Sequence, residues 1–125
     1  MTLKKEKQSV RNPELADLPP LPMDVPGLIH DFMHHYSHHL GRDKYCRFGR
    51  YQYQALAFTI RERIIERWNK TRYAYMNTGC KTGYYLSLEF LMGRALGNAM
   101  LNLGMTDSAT QAMQQIGMTL EELAE

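Results

Sequence analysis

The amino-acid sequence predicts the start of an α/β fold, a mainly helical chain with one buried strand near Tyr84–Leu88. That strand is an aromatic and apolar run that follows Gly79 and Gly83, and Ser87 is its only polar residue. Such a run is typical of strands that are covered on both faces, as in parallel sheets flanked by helices. Beyond it the apolar period lengthens to that of a helix, so we expect a helix to begin near position 89 or 90.

Glu89 is the candidate binding residue, because it directly follows the predicted strand. Ligands of open α/β sheets bind just beyond the carboxyl ends of the strands. The N-terminus of the following helix would also stabilise a carboxylate at this position. The alternative is that Glu89 only caps this helix or pairs with Arg94, and the residues by themselves favour that alternative.

The composition is that of an ordinary globular protein, with 125 residues, 44% hydrophobic and 22% charged, and a net charge of +2. This charge gives no argument for a nucleic-acid or membrane partner, and no apolar run has the length that crosses a bilayer. Cys46 and Cys80 are too few for a disulfide framework or a zinc site. We expect free thiols, no bound metal and a cytoplasmic location.

Residues 1–27 are predicted to be a disordered or extended tail, and residues 28–125 are predicted to be a helical region with the start of an α/β domain, which is incomplete. Positions 1–11 are polar and basic, and all five prolines lie between Asn12 and Gly27. Proline fixes φ and donates no backbone hydrogen bond, so this segment is expected to be polyproline-like.

The first predicted helix covers Leu28–Leu40, and Gly41 is placed to end it in the left-handed conformation. The helix carries five histidines, namely His30, His34, His35, His38 and His39. His34 and His38 have a spacing that can present two imidazoles to one metal ion. Because nothing nearby completes a ligand set, we interpret the histidines as a polar helix face.

A longer helix is predicted from Arg50 to Tyr73, with an apolar stripe and a charged face. The stripe consists of Tyr53, Leu56, Ala57, Ile60, Ile64 and Trp68, and the charged face of Arg61, Glu62, Arg63, Glu66, Arg67 and Lys70. Further on, Gly93 and Gly97 lie four apart, which favours close approach of a neighbouring backbone. Thr106 is predicted to cap one more helix, and a capping box at 119–122 opens the last.

The sequence YYLSLEFLMGR, followed by ALGNAMLNLG, resembles the N-terminal signature of glycogen, starch and maltodextrin phosphorylases. The resemblance covers roughly residues 43–125, including Arg67-Trp68 upstream and Leu120–Leu123 downstream. Members of that family are several times longer. The resemblance therefore implies an N-terminal fragment, comprising the helical cap and the beginning of the N-terminal α/β domain of a doubly wound, two-domain glycosyltransferase.

The resemblance implies phosphorolysis, in which orthophosphate releases glucose 1-phosphate from the end of an α-1,4-glucan. Family members are homodimers that hold pyridoxal phosphate on a lysine far downstream, so this chain is expected to contain no catalytic and no cofactor-binding residue and to be inactive alone. Glu89 matches the glutamate that borders the active-site pocket in the family, which makes it a substrate-binding candidate.

Ser9 is a candidate site of regulatory phosphorylation, because the basic peptide around it resembles the phosphorylation site of animal phosphorylases. The alternative is an ordinary solvated tail. Control by AMP is not expected, since Arg72, Tyr73 and Met76 stand where regulated animal members have two glutamines and a tyrosine.

Two other functions remain open at this point. One is a non-catalytic helical module that pairs with another chain through Tyr53, Ile60, Ile64 and Trp68 of the long helix. The other is a different glucan glycosyltransferase of the same doubly wound architecture. A single strand cannot satisfy its own backbone groups in a buried setting. We therefore expect the chain to aggregate or to require a partner.

Overall fold

The computed structural model describes residues 19–46, 48–88 and 93–124, and these ranges are mainly helical, as predicted. The helices are α1 (Val25–His34), α2 (Gly49–Thr78), α3 (Ala95–Leu103), α4 (Thr106–Gln115) and α5 (Leu120–Ala124), and α1 runs directly into a π-helical turn, His35–His39. None of these helices is both long enough and apolar enough to span a membrane.

Helix α1 begins at Val25, three residues earlier than predicted. The side chain of Asp24 accepts a hydrogen bond from the Gly27 amide at 3.1 Å, which caps the first turn. Pro26 lies in that turn, where a missing N–H is tolerated and its fixed φ suits the helix. Positions 25–27 of the predicted tail are therefore helical.

The end of this first helical segment is wound more widely than an α-helix. The amide of Leu40 donates to the carbonyl of His35 at 2.8 Å, and Arg42 donates to Tyr36 at 3.0 Å. Gly41 follows with a φ of 60°, as its position in the sequence predicted. The widened turn directs residues 42–46 back toward α2.

Helix α2 buries one face, and the fully buried residues of that face lie between positions 55 and 63. Its buried face consists of Ala55, Leu56, Thr59, Ile60 and Arg63. The predicted stripe is therefore correct at its centre and wrong at its ends, where Tyr53, Ile64 and Trp68 are exposed. The contacts of α2 with other helices extend to Arg67, which donates to the Leu103 carbonyl of α3, and every residue from 71 to 86 is exposed.

The core lies around α1, which packs against both α2 and α4, while α3 and α5 pack against α2. Its fully buried apolar residues include Leu28, Phe32, Leu56, Ile60, Met105 and Met113. The apolar periodicity of the sequence predicted the contributions of α1, α2 and α4. Gly104, with a φ of 70°, ends α3 and turns the chain so that Met105 enters this core.

The last two helices follow their predicted start signals closely. Thr106 is the first residue of α4 and not its cap. Met105 occupies the capping position, and its side chain accepts no hydrogen bond from the first turn. The capping box before α5 is confirmed. The Thr119 hydroxyl accepts from the Glu122 amide, and the Glu122 carboxylate accepts from the Thr119 amide, both at 3.3 Å.

The predicted buried strand at 84–88 is not formed in the described residues. Residues 80–87 have no regular secondary structure, and the run is open to solvent, with Tyr84 86% and Leu88 102% exposed. A strand exists only by pairing with neighbours, and no other strand occurs within the described ranges. The doubly wound sheet thus stays a prediction for residues beyond these helices.

Helix α3 follows this run and begins at Ala95, and the predicted helix start at position 89 or 90 lies outside the described residues. Gly93 therefore precedes the helix. A side chain at Gly93 or Gly97 would meet nothing within 4 Å, so the predicted close backbone approach is not found in the described chain.

Candidate functional site

The most completely bonded polar side chain in the described residues is Arg63, which is only 1% exposed. Its Nη2 lies 2.7 Å from Oδ2 of Asp31 in α1. Nε and Nη2 donate to the Pro22 carbonyl at 3.0 and 2.6 Å, and Nη1 donates to the Thr59 carbonyl at 2.8 Å. Arg63 thereby joins α1, α2 and the segment before α1.

Arg63 was predicted to lie on the charged face of α2, and this prediction is wrong. In a helical pattern an arginine is assigned to solvent because of its charge, but a guanidinium can be buried when each of its donors finds an acceptor. The only signal in the sequence was Asp31, the single carboxylate of α1. Pairing it with a particular arginine of α2 required the packing of the two helices.

The electrostatics of Asp31 follow from this packing. Burial raises the pKa of its carboxyl, but hydrogen bonds from His30 and Arg63 and the Arg63 charge outweigh burial, so the pKa of Asp31 lies below its ordinary value. His30 Nδ1 lies 3.1 Å from Oδ1, on the solvent side of the carboxylate. Asp31 is therefore held in its ionised form.

The segment before α1 has a second anchor at Glu66. Oε2 of Glu66 accepts from the Leu21 amide at 3.1 Å, and Oε1 accepts from Lys70 Nζ at 2.6 Å, which confirms the predicted pair of Glu66 and Lys70. These bonds, that of Lys70 first, lower the pKa of Glu66. One turn of α2 thus binds both a carbonyl and an amide of residues 21–22.

A cleft of about 840 Å³ opens between the π-helical turn, the loop 42–46 and the end of α4. Its lining is Phe32, Met33, Tyr36, Ser37, Arg42, Asp43, Lys44, Cys46, Gln52, Ile116, Gly117 and Met118. The Tyr36 hydroxyl donates to the Cys46 carbonyl and fixes the loop. Burial first, and this hydrogen bond second, raise the pKa of Tyr36.

The positive charge at the cleft is held by aromatic contact. The guanidinium of Arg42 lies 3.9 Å from the centre of the Tyr51 ring, and its Nε is buried without a hydrogen-bond partner. The lining of the cleft includes no nucleophile paired with a base that could catalyse a reaction.

The histidines divide into an exposed group and one buried residue. His30, His34, His38 and His39 are exposed, as the predicted polar face requires. His35 is only 6% exposed and packs against Phe58 of α2. Its Nε2 lies 3.1 Å from Oε2 of Glu62, although not in the direction of a hydrogen bond.

The two site residues predicted from sequence, Glu89 and Ser9, lie outside the described residues. Arg94, the alternative partner of Glu89, lies just before α3 and is exposed. Within the described ranges, no group of three or more histidine, cysteine or acidic side chains gathers into a metal site.

Pyridoxal phosphate, which the resemblance implies for the whole enzyme, does not fit the lysines of the described residues. Its aldehyde requires an enclosed lysine amine. Lys44 and Lys81 are exposed, and Lys70 is exposed and bound to Glu66. None of the three lies beside a set of donors that could hold the cofactor phosphate.

The described residues thus form a helical unit in which residues 21–22 are bound to α2, a cleft opens beside the end of α4, and the last turns of α2 are exposed.

No model of a protein family matches the sequence. Individual relatives do match. The chain is 41% identical over 102 residues to the brain form of glycogen phosphorylase from Bos taurus, and 40% identical over 102 residues both to the liver form from Homo sapiens and to the brain form from Rattus norvegicus.

These matches cover 82% of this chain and confirm the predicted relationship to the phosphorylase family. The chain spans about 12% of the length of the relatives it matches.

Proposed function

We propose that this chain forms the N-terminal region of an α-1,4-glucan phosphorylase, which releases glucose 1-phosphate from glycogen, starch or maltodextrin. The observation that carries the proposal is the 40–41% identity to glycogen phosphorylases over 102 residues. The alternative of a non-catalytic helical module is not favoured by this relationship.

The described residues support a structural role for this region within the enzyme. Helices α1 and α2, joined by Arg63, provide a rigid unit, while the lining of the cleft offers no catalytic pair. We propose that the catalytic groups and pyridoxal phosphate are held elsewhere in the whole enzyme, and that this chain alone is inactive. Glu89 is proposed to border the glucan.

The exposed apolar surface supports a larger assembly. The run 84–88 and the second half of α2 expose Trp68, Tyr75, Met76 and Leu86 together. Each large apolar side chain stabilises a fold by about 1.5–3 kcal/mol when it is fully covered. We propose that the rest of the enzyme covers residues 84–88 as a strand, and that the enzyme is a cytoplasmic homodimer.

The test is an assay for glucose 1-phosphate with the protein encoded by the complete reading frame. The enzyme is loaded with pyridoxal phosphate and incubated with glycogen, with and without orthophosphate. We expect glucose 1-phosphate only when orthophosphate is present, and none from the 125-residue chain alone. Transfer of glucose that does not depend on orthophosphate would instead identify another glucan glycosyltransferase.

A further inference from the structure

His34 and His38 lie side by side on the solvent face where α1 passes into the π-helical turn. Their ring centres are 5.0 Å apart and the ring planes differ by 16°, so the two imidazoles are stacked. Both side chains belong to exposed residues. Neither ring has a role in the core or in the cleft described above.

The hydrogen bonds around Ser37 set the tautomer of His38. The Ser37 hydroxyl donates its single proton to the Met33 carbonyl at 2.6 Å. Its oxygen also lies 2.9 Å from His38 Nδ1, so that contact requires the proton to be on Nδ1. A neutral His38 then carries its free electron pair on Nε2, which is the state of a metal ligand.

Two other pairs have the same four-residue spacing and lack these properties. In the pair His30 and His34, the ring of His30 contacts Asp31 instead, with Nδ1 3.1 Å from Oδ1. The rings of His35 and His39 meet edge to face at 5.7 Å, with planes 77° apart. His35 is buried against Phe58, so its ring cannot turn toward an ion in solvent. Position on the helix therefore selects one pair out of five histidines.

We propose that His34 and His38 bind one divalent transition-metal ion of the Cu²⁺, Ni²⁺ and Zn²⁺ class through two imidazole nitrogens, with water completing the coordination. No metal was expected from the sequence, because no further protein ligand lies near these histidines, but a site of two imidazoles and water does not need one. Two nitrogens at the usual bond length to one ion lie at most about 4.2 Å apart. The ring centres lie 5.0 Å apart in this structure, so binding of an ion requires the two exposed rings to turn until a nitrogen of each faces it.

The chemistry of the donors predicts the order of affinity. Imidazole nitrogen favours Cu²⁺ over Ni²⁺ and Zn²⁺, and hard ions such as Mg²⁺ prefer oxygen. Cu²⁺ is therefore the probe of choice. Loss of the Ser37 hydroxyl removes the group that orients His38, and such outer partners change metal affinity by about 10-fold to 100-fold.

The experiment titrates Cu²⁺ into the full chain, produced without a polyhistidine tag, by calorimetry and by electron paramagnetic resonance. The variants are H34Q, H38Q and S37A. The matched control is H30Q, because His30 is exposed on the same helix but contacts Asp31 and not the pair. Circular dichroism confirms that each variant keeps its helix content.

We expect one Cu²⁺ bound per chain with nitrogen coupling in the spectrum, binding lost in H34Q and H38Q, about tenfold weaker binding in S37A, and no change in H30Q. The proposal is wrong if the unchanged chain binds no Cu²⁺, or if H30Q weakens binding as much as H34Q does. Equal binding by all four variants would also overturn it.

Discussion

The buried Arg63 and the partly exposed Asp31 form an ion pair between α2 and α1, with Nη2 and Oδ2 2.7 Å apart. The same guanidinium also holds the carbonyls of Pro22 and Thr59. The pair therefore fixes the angle between two helices and the path of the chain entering the first of them. Its energetic value depends on all of these acceptors being satisfied at once.

Replacing Arg63 by alanine is expected to destabilise the fold by about 1–3 kcal/mol, because the partly exposed Asp31 carboxylate and the Pro22 and Thr59 carbonyls lose their donor. The measurement is urea unfolding followed by circular dichroism. Arg61→Ala is the matched control, since Arg61 is exposed on the same helix, and it should change stability by less than about 0.5 kcal/mol. Equal effects of the two substitutions would show that this ion pair does not hold the helices.

Stability is expected to depend on pH through Asp31. Its folded-state pKa lies below the ordinary value of 3.8, so the unfolded chain binds more protons around that pH. The contribution is therefore fully present above the unfolded pKa and is lost as pH falls through the folded pKa. Urea midpoints measured from pH 6 downward should fall in acid, and Asp31→Asn should make this fall shallower. An unchanged acid slope in the variant would contradict the assignment.

Patterns in the sequence predicted those parts of the fold that depend on local signals. Leu28 and Leu56 repeat at helical spacing and enter the core, and Gly41 adopts the positive φ that ends the first helical segment. Arg63 could not be predicted in the same way, because its burial depends on acceptors more than thirty residues distant.

The strand predicted for residues 84–88 is absent for a different physical reason. Its apolar character was read correctly, but a strand is defined by hydrogen bonds to other strands, and the described residues supply none. The same limit applies to the candidate site. The proposed role of Glu89 depends on a predicted sheet that the described residues do not form, so only the family resemblance bears on it.

Removing the N-cap of α1 by Asp24→Ala is expected to cost about 1 kcal/mol, because the Gly27 amide loses its acceptor at 3.1 Å. Asp24→Ser preserves a capping oxygen and should retain most of the stability. Thermal unfolding of the two variants separates capping from charge. If serine is as destabilising as alanine, the negative charge and not the hydrogen bond stabilises this helix end.

Leu86 provides the sharpest comparison between this chain and the proposed whole enzyme. In the described structure it is 93% exposed, so Leu86→Asp should change the unfolding free energy of the 125-residue chain by less than about 0.5 kcal/mol. If the rest of the enzyme covers residues 84–88, the same substitution there buries an unpaired carboxylate and removes a core side chain, at a cost of at least about 2–5 kcal/mol. Urea unfolding of both proteins, with Lys81→Asp as the exposed control, measures the difference. A full-length enzyme that tolerates Leu86→Asp as well as Lys81→Asp would show that this run stays on the surface.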